Sequence, residues 1–279
     1  MTKANRLFLC AAAATLGVAA GAPQASAAFV VVEDFQSRTL GPVNGQNGFT
    51  AGAGAQVVLD PANATNRLLQ VSAADTSVAK GISIADNTTA TLYFQIKTSA
   101  PVNASLGATD VAAPTEFAAF ESQVNVNAST PVQPIRIRDL GVFDALSDTG
   151  GSASTITSAQ PIGVFLVINN TTNTTEVYLQ EAGDAAPVLQ VNGAQDDFGF
   201  RNTTAADLVN FYIRTGGAVP NTGEAPGTGP FFVDNIYLDA TGANLAAPAP
   251  LIGAAVPEPA TFGLLGVAGV ALAARRRRR

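Results

Sequence analysis

The chain has 279 residues, 21 acidic against 15 basic, with no histidine, no tryptophan and a single cysteine, Cys10. That composition excludes disulfides, histidine-based catalytic triads and histidine metal ligands, and beyond Cys10 it excludes thiolate nucleophiles. Residues 28–256 carry eight basic and twenty acidic residues, and a net charge of about −12 excludes nucleic acid and anionic lipid as partners of that region.

At the N-terminus, Lys3 and Arg6 precede an apolar run from Leu7 to Ala20, and Ala25-Ser26-Ala27 is the small-x-small pattern that signal peptidase cuts. Residues 1–27 are therefore predicted to form a signal helix whose removal leaves Ala28 as the mature N-terminus. Cys10 lies inside the apolar run, where it reads as filler rather than a lipidation site. The mature chain then has no cysteine at all.

Residues 28–240 read as one all-β domain, long enough to bury a core without staples. Candidate strands follow in chain order: 29–35, 56–59, 67–71, 91–97, 117–126, 135–140, 162–168, 176–180, 208–215 and 231–239. They are β-branched and aromatic in make-up and are separated by Gly, Pro, Asn, Asp and Thr clusters. In Thr91 to Lys97 the alternation puts Leu92, Phe94 and Ile96 on one face. Residues 185–210 are the hardest to assign. The run Gly163-Val164-Phe165-Leu166-Val167-Ile168, the polar turn from Asn169 to Thr175 and the return Glu176-Val177-Tyr178-Leu179 predict a hairpin. Many short strands without a long amphipathic helix predict a two-sheet antiparallel sandwich.

That hairpin, the opening Glu33-Asp34-Phe35 with Gly45-Gln46-Asn47-Gly48-Phe49, and the closing Gly229-Pro230-Phe231-Phe232-Val233-Asp234-Asn235-Ile236-Tyr237 resemble concanavalin A-like lectin/glucanase and laminin-G-like jelly rolls. The resemblance implies a jelly-roll fold and suggests sugar binding. The residues themselves supply less. Sugar faces stack on aromatic rings, yet Phe49 stands where such patterns carry tryptophan, and Tyr93, Tyr178, Tyr212 and Tyr237 all lie in strand patterns where the ring packs. The Glu-x-Asp-x-x-Glu arrangement of the jelly-roll glucanases is absent. Glu33-Asp34 and Asp196-Asp197 are adjacent pairs that point to opposite faces of a strand, so neither makes a one-face carboxylate dyad. Tyr93 and Lys97 share a non-core face, as a lyase would need and as a solvated stripe would also show.

Arg136 and Arg138 alternate with Ile135 and Ile137, so both guanidinium groups share one face and form a candidate contact for carboxylated or sulfated sugars. Asp139 and Asp144 are nearby, and internal ion pairing is the competing explanation. No cofactor is required by any motif, although the loop acids Asp148 and Asp196-Asp197 leave calcium open without assigned ligands. Eight Asn-x-Ser/Thr sequons, from Asn63 to Asn202, fit the turn and strand chemistry of an Asn- and Thr-rich β domain.

Residues 241–255, rich in Ala, Pro and Gly, read as a flexible linker. Then come Val256, Pro257, Glu258 and Pro259, where two prolines around one acid hold the backbone extended. Next is an apolar run containing Phe262, Leu264 and Leu265, about 15 residues or roughly 22 Å as a helix, which makes a marginal transmembrane anchor. Arg275, Arg276, Arg277, Arg278 and Arg279 end the chain and keep its tip cytoplasmic. Motif, helix and arginine cluster at 256–279 together resemble the PEP-CTERM sorting signal. The resemblance implies an exported protein, transiently anchored, whose partners are signal peptidase and an exosortase-like membrane protease, and whose destination is the cell surface or extracellular matrix. The expected role there is structural or glycan-associated, with extracellular polysaccharide as a candidate partner, and not enzymatic; the alternative is a polysaccharide hydrolase or lyase of jelly-roll fold.

Overall fold

The computed structural model describes residues 28–72, 74–98, 102–126, 133–156, 161–216 and 229–251. The expected signal helix with Ala25 and Ala27, the motif Val256 to Pro259, the anchor with Phe262, Leu264 and Leu265, and Arg275 to Arg279 lie outside them. Among the described residues no helix is long and apolar enough to cross a membrane.

The described chain is all-β, its strands forming two antiparallel sheets with two short 3-10 turns between them. The larger sheet runs in the order Ser147–Asp148, Val188–Val191, Thr174–Gln180, Ile162–Asn169, Thr89–Thr98, Phe231–Asp239, Asn63–Val71, Ala55–Asp60 and Gly41–Pro42. Val30–Glu33 pairs with Phe231–Asp239, and Phe198–Gly199 with Thr174–Gln180. The smaller sheet runs Val142–Ala145, Gln133–Asp139, Ser122–Val126, Ala104–Thr109, Leu208–Thr215, Thr76–Ile84 and Phe49–Ala51, with Thr155–Ile156 beside Gln133–Asp139.

One apolar core lies between the sheets. The period-two pattern places Leu92, Phe94 and Ile96 inward, opposite Leu166, Val164 and Ile162 of the neighbouring strand. The smaller sheet contributes Leu106, Val124, Ile135, Ile137, Phe211 and Ile213, and Phe94 meets Phe211 with ring centroids 5.2 Å apart. The hairpin 162–180 pairs from Gly163↔Gln180 to Asn169↔Thr174. Its turn is closed by Asn173 at φ +56, a left-handed position that asparagine tolerates better than most residues.

Several segments depart from the sequence-based expectation. Residues 117–126 are not one strand: Phe117–Ala119 form a 3-10 turn, Phe120 and Glu121 lead into the sheet, and the strand begins at Ser122. Thr76–Ile84 and Ala104–Thr109 are strands that the pattern did not single out.

The outer face of the larger sheet carries an aromatic cluster in which Tyr93 and Phe165 lie 4.6 Å apart and Phe29 approaches Tyr93, Phe165 and Tyr237. Residues 241–251, read from composition as linker, run along this face. Thr91 Oγ1 donates to the Gly242 carbonyl (2.8 Å) and accepts from the Asn244 amide (2.8 Å), and Gln95 Nε2 donates to the Pro250 carbonyl (2.8 Å).

Candidate functional site

Arg136 and Arg138 sit on the strand Gln133–Asp139, between Ser122–Val126 and the edge strand Val142–Ala145. Ile135 and Ile137 enter the core, so alternation turns both arginines to the outer face of the smaller sheet. A tight turn with Leu140 at φ +44 and Gly141 at φ +99 brings the chain back in a register that sets Phe143 directly opposite Arg138 and Ala145 opposite Arg136. Both guanidinium groups lie over the Phe143 ring, at 4.6 Å for Arg136 and 4.7 Å for Arg138. Arg136 is oriented further by Asn125, whose Oδ1 accepts from its Nε (3.2 Å) and Nη2 (2.6 Å), while Asn125 Nδ2 donates to Asn103 Oδ1 (3.0 Å) and Ser105 Oγ (3.1 Å).

Among the described residues the nearby acids do not neutralise Arg138. Asp139 is committed to the neighbouring loop, with its Oδ1 accepting from the Gly199 amide (2.6 Å) and its Oδ2 from Gln195 Nε2 (2.9 Å). Asp144 lies opposite Ile137, on the other face of the strand, and burial followed by the charge of Asp139 pushes its carboxyl up. The salt bridges among the described residues join Arg38 to Glu33, Lys97 to Asp60 and Arg214 to Asp75, and Arg138 is in none of them. Its guanidinium is held below the usual range first by burial and then by the like charges of Arg201 and Arg136. Arg138 thus sits among like charges on one face of a strongly acidic domain.

The same face continues across the sheet. Arg214, Ser105, Asn125 and Arg136 follow one another in one cross-strand row. In the next row Tyr212 lies opposite Gly107 and Gly107 opposite Gln123, and the register of Gln133–Asp139 brings Arg138 beside Gln123. Part of this surface is covered by residues 110–121. Phe120 lies on Tyr212, with ring centroids 4.5 Å apart, and Phe117 lies by the guanidinium of Arg214 (5.7 Å). On the same face Gln123 Oε1, Arg138 Nε and Arg214 Nε make no hydrogen bond, and the Ser77 hydroxyl lies beside that of Tyr212 and accepts from Arg214 Nη1 (2.9 Å). Burial pushes the Tyr212 hydroxyl up. Glu121, at the root of the crossing, accepts from the Asp110 amide (3.0 Å), and burial raises its carboxyl to about 7.

The other sequence candidates do not assemble into a site. Tyr93 Oη accepts from Gln95 (2.8 Å) and is pushed up by burial, whereas Lys97 turns to Asp60 (3.3 Å), so the two are engaged separately. Asp148 Oδ1 caps its own turn by accepting from the Ser152 amide (2.8 Å). Among the described residues no three His, Cys, Asp or Glu side chains converge as a metal would need. A cleft of about 240 Å³ beside Asp148, Glu181, Asp184 and Gln190 is acid-lined and unsuited to an anion. Phe143, Asn125, Gln123, Arg201 and Tyr212 were not singled out as site residues; the Leu140-Gly141 turn is the sequence signal that could have paired Phe143 with the arginines.

The domain is distantly similar to several carbohydrate-related structures. It resembles the catalytic domain of the glycoside hydrolase family 131 protein from Coprinopsis cinerea at 13% identity and TM-score 0.47, over 81% of this chain and 99% of that one. The Emp47p carbohydrate recognition domain is similar at 11% identity and TM-score 0.43, over 80% and 100% of the two chains. The marine PL-14 alginate lyase from Aplysia kurodai is similar at 10% identity and TM-score 0.43, over 75% and 98%. No curated protein matches the sequence. Residues 255–279 match the PEP-CTERM protein-sorting motif, so the chain carries at its C-terminus the signal of an exported protein that is anchored there before an exosortase cuts it.

Proposed function

We propose that the exported domain binds an acidic polysaccharide at the cell surface or in the extracellular matrix, through Arg136, Arg138 and Phe143, without cleaving it. The observation that carries this reading is Arg138. It is a guanidinium stacked on an aromatic ring, crowded by Arg136 and Arg201, and in no salt bridge among the described residues of a domain rich in acids. A sugar carboxylate or sulfate would relieve that repulsion through charge-assisted hydrogen bonds. Binding without cleavage follows from the nearby acids and phenols. Tyr212 is fully buried with its hydroxyl pushed up, the opposite of what a lyase base needs, and Glu121 is turned to a backbone amide. The enzyme alternative keeps one supporting observation, the carboxyl of Glu121 held near neutrality.

Retention of the purified domain on immobilised polygalacturonate, against neutral dextran, tests the reading. The R136Q/R138Q variant should bind at least about tenfold more weakly, because two charge-assisted contacts are lost, and wild-type binding should weaken with salt. Equal retention on dextran, or an unaffected double variant, would sink the proposal. Unsaturated uronate or new reducing ends, abolished by E121Q, would establish the enzyme alternative.

Sorting is tested in cells with and without the exosortase. The released protein should lack residues beyond the motif Val256 to Pro259, and recovery of Arg279 on the released form would overturn that role for the motif. The signal-peptidase step predicts Ala28 as the first residue of the same product.

A further inference from the structure

Resting on the sorting reading, we infer that residues 241–251 are a tie that shortens the tether between the domain and the sorting motif, and that release of the tie sets the rate at which an exosortase cuts the anchored chain. The larger sheet builds the tie. Alternation sends Leu92, Phe94 and Ile96 into the core and leaves Thr91, Tyr93 and Gln95 on the outer face, where Thr91 and Gln95 reach main-chain atoms of the passing segment. Thr91 holds it at Gly242 and Asn244, and Asn244 Nδ2 donates to Asp239 Oδ2 (2.8 Å) at the end of the strand Phe231–Asp239. Further on, the fully buried Gln95 donates from Nε2 both to Tyr93 Oη (2.8 Å) and to the Pro250 carbonyl (2.8 Å). Leu251 settles where Gly163 has no side chain: a Cβ there would stand 3.2 Å from Leu251 Cδ2 and 3.1 Å from the Tyr93 ring. Pro248 and Pro250 fix φ along this stretch and lower the entropy that docking costs.

Chain length gives the tie its consequence. Residues 252–255 separate Leu251 from Val256, and a chain of that length reaches at most about 18 Å. A domain of this size has a radius of gyration of about 17 Å. With the segment docked, the motif stays within about one such radius of the sheet, so a protease working at the membrane meets the folded domain beside the bond it must cut. The first part of the segment is pinned by both Thr91 and Asp239, so the part that lets go is the last, residues 245–251, held by the Gln95 bond and the Leu251 contact. Release of that part alone lengthens the reach to about 43 Å, measured from Asn244 to Val256, more than twice the domain's radius of gyration. The protease then has room, and the fold of the domain is unchanged.

Pulse-chase labelling of the full chain in exosortase-containing cells tests this by following conversion of the anchored form to the released one. A Gly/Ser insertion of about ten residues between Gly253 and Ala254 lengthens the tether without touching the fold, and conversion should quicken at least about fivefold. Q95M removes the donor to Pro250 while keeping the side chain's length, and should quicken conversion roughly fivefold, about the worth of one hydrogen bond. In the combined variant the two gains should not multiply, because a tether already long enough gains nothing from release. If Q95M does not fold, the insertion decides alone. Conversion of the insertion variant no faster than wild type, or gains that multiply in the combined variant, would overturn the tie while leaving the sorting signal intact. Failure of the wild type to convert at all would remove the sorting reading and the tie together.

Discussion

On the outer face of the larger sheet, Phe29, Tyr93, Phe165 and Tyr237 pack ring against ring, and residues 241–251 lie along it with backbone carbonyls at the polar side chains Thr91 and Gln95. On the outer face of the smaller sheet, arginines crowd one another, and Gln123 Oε1 and Arg138 Nε make no hydrogen bond. The first face is covered by the chain itself, although Asp60 Oδ2 and Gln180 Oε1 of that sheet also make no hydrogen bond. The second gathers like charges instead, and crowded charge is where an oppositely charged ligand contributes most. The contrast also has a direction. Leu251 packs near Tyr93 and Gly163 on the larger sheet, so the described domain ends on the side away from the arginines.

Two glycines give the sharpest test of the contrast. A Cβ on Gly107, in the smaller sheet, would stand 1.9 Å from the Ser122 carbonyl oxygen and 2.8 Å from Gln123 Cα, backbone atoms that cannot withdraw. G107A should therefore lose more than about 3 kcal/mol of stability or fail to fold. A Cβ on Gly163, in the larger sheet, would meet the Tyr93 ring at 3.1 Å and Leu251 Cδ2 at 3.2 Å, side chains that can give. G163A should lose only about 1 kcal/mol, and proteolysis near residue 251 should quicken as that end of the chain is pushed off. Equal losses in urea unfolding would show that the larger sheet's face is no softer than the smaller one's.

Each face also buries a carboxyl. Glu121 on the smaller sheet's side rises from 4.5 to about 7, and Asp234 in the larger sheet from 3.8 to about 7, both chiefly through burial. Asp234 is partly compensated by Asn66 Nδ2 (3.1 Å) and the Asn235 amide (2.8 Å), which favour its ionised form. Both groups hold a proton more tightly in the native chain than in the unfolded one. Their contribution is therefore fully present below the unfolded values and is lost as the pH rises through about 7. Asp239, whose carboxyl is held low by hydrogen bonds from Thr241 and Asn244 despite burial, stays ionised throughout that window and does not offset the trend. The melting temperature should fall by roughly 5 °C between pH 5 and pH 8. E121Q and D234N should each flatten part of that slope, and a melting temperature that rises over the same interval would refute the assignment.

The sequence made the larger sheet easier to read than the smaller one, for a physical reason. Thr89–Thr98, Ile162–Asn169 and Phe231–Asp239 are central strands whose apolar and β-branched residues declare themselves. Ala104–Thr109 is made mostly of small residues that carry no strong pattern. Thr76–Ile84 breaks the alternation with Lys80, which points toward the core side, lies over the Phe49 ring and donates to the Asn47 carbonyl. The arginine pair was legible because strand alternation alone puts Arg136 and Arg138 on one face. Its surroundings were not, because Asn125, Gln123 and Tyr212 reach it through strand order, and nothing local reveals that order. Phe120 read as a strand residue for the same reason: an apolar ring that packs onto an outer face looks, in sequence, like one that packs into a core.

The smallest expected effect concerns the ring that organises the clamp. Phe143 holds two guanidinium groups at 4.6 and 4.7 Å, and a partly exposed cation–π contact is worth about 0.5–1 kcal/mol. F143L keeps the apolar surface while removing the ring's negative face, so Arg138 should lose its orientation although its charge remains. Affinity for polygalacturonate should drop by roughly two- to fivefold, with the salt dependence of binding unchanged because the number of charges is the same. In R138Q the salt dependence itself should become shallower. A change of slope in F143L, or none in R138Q, would mean that the ring and the arginine do not act in the separate roles of holder and contact.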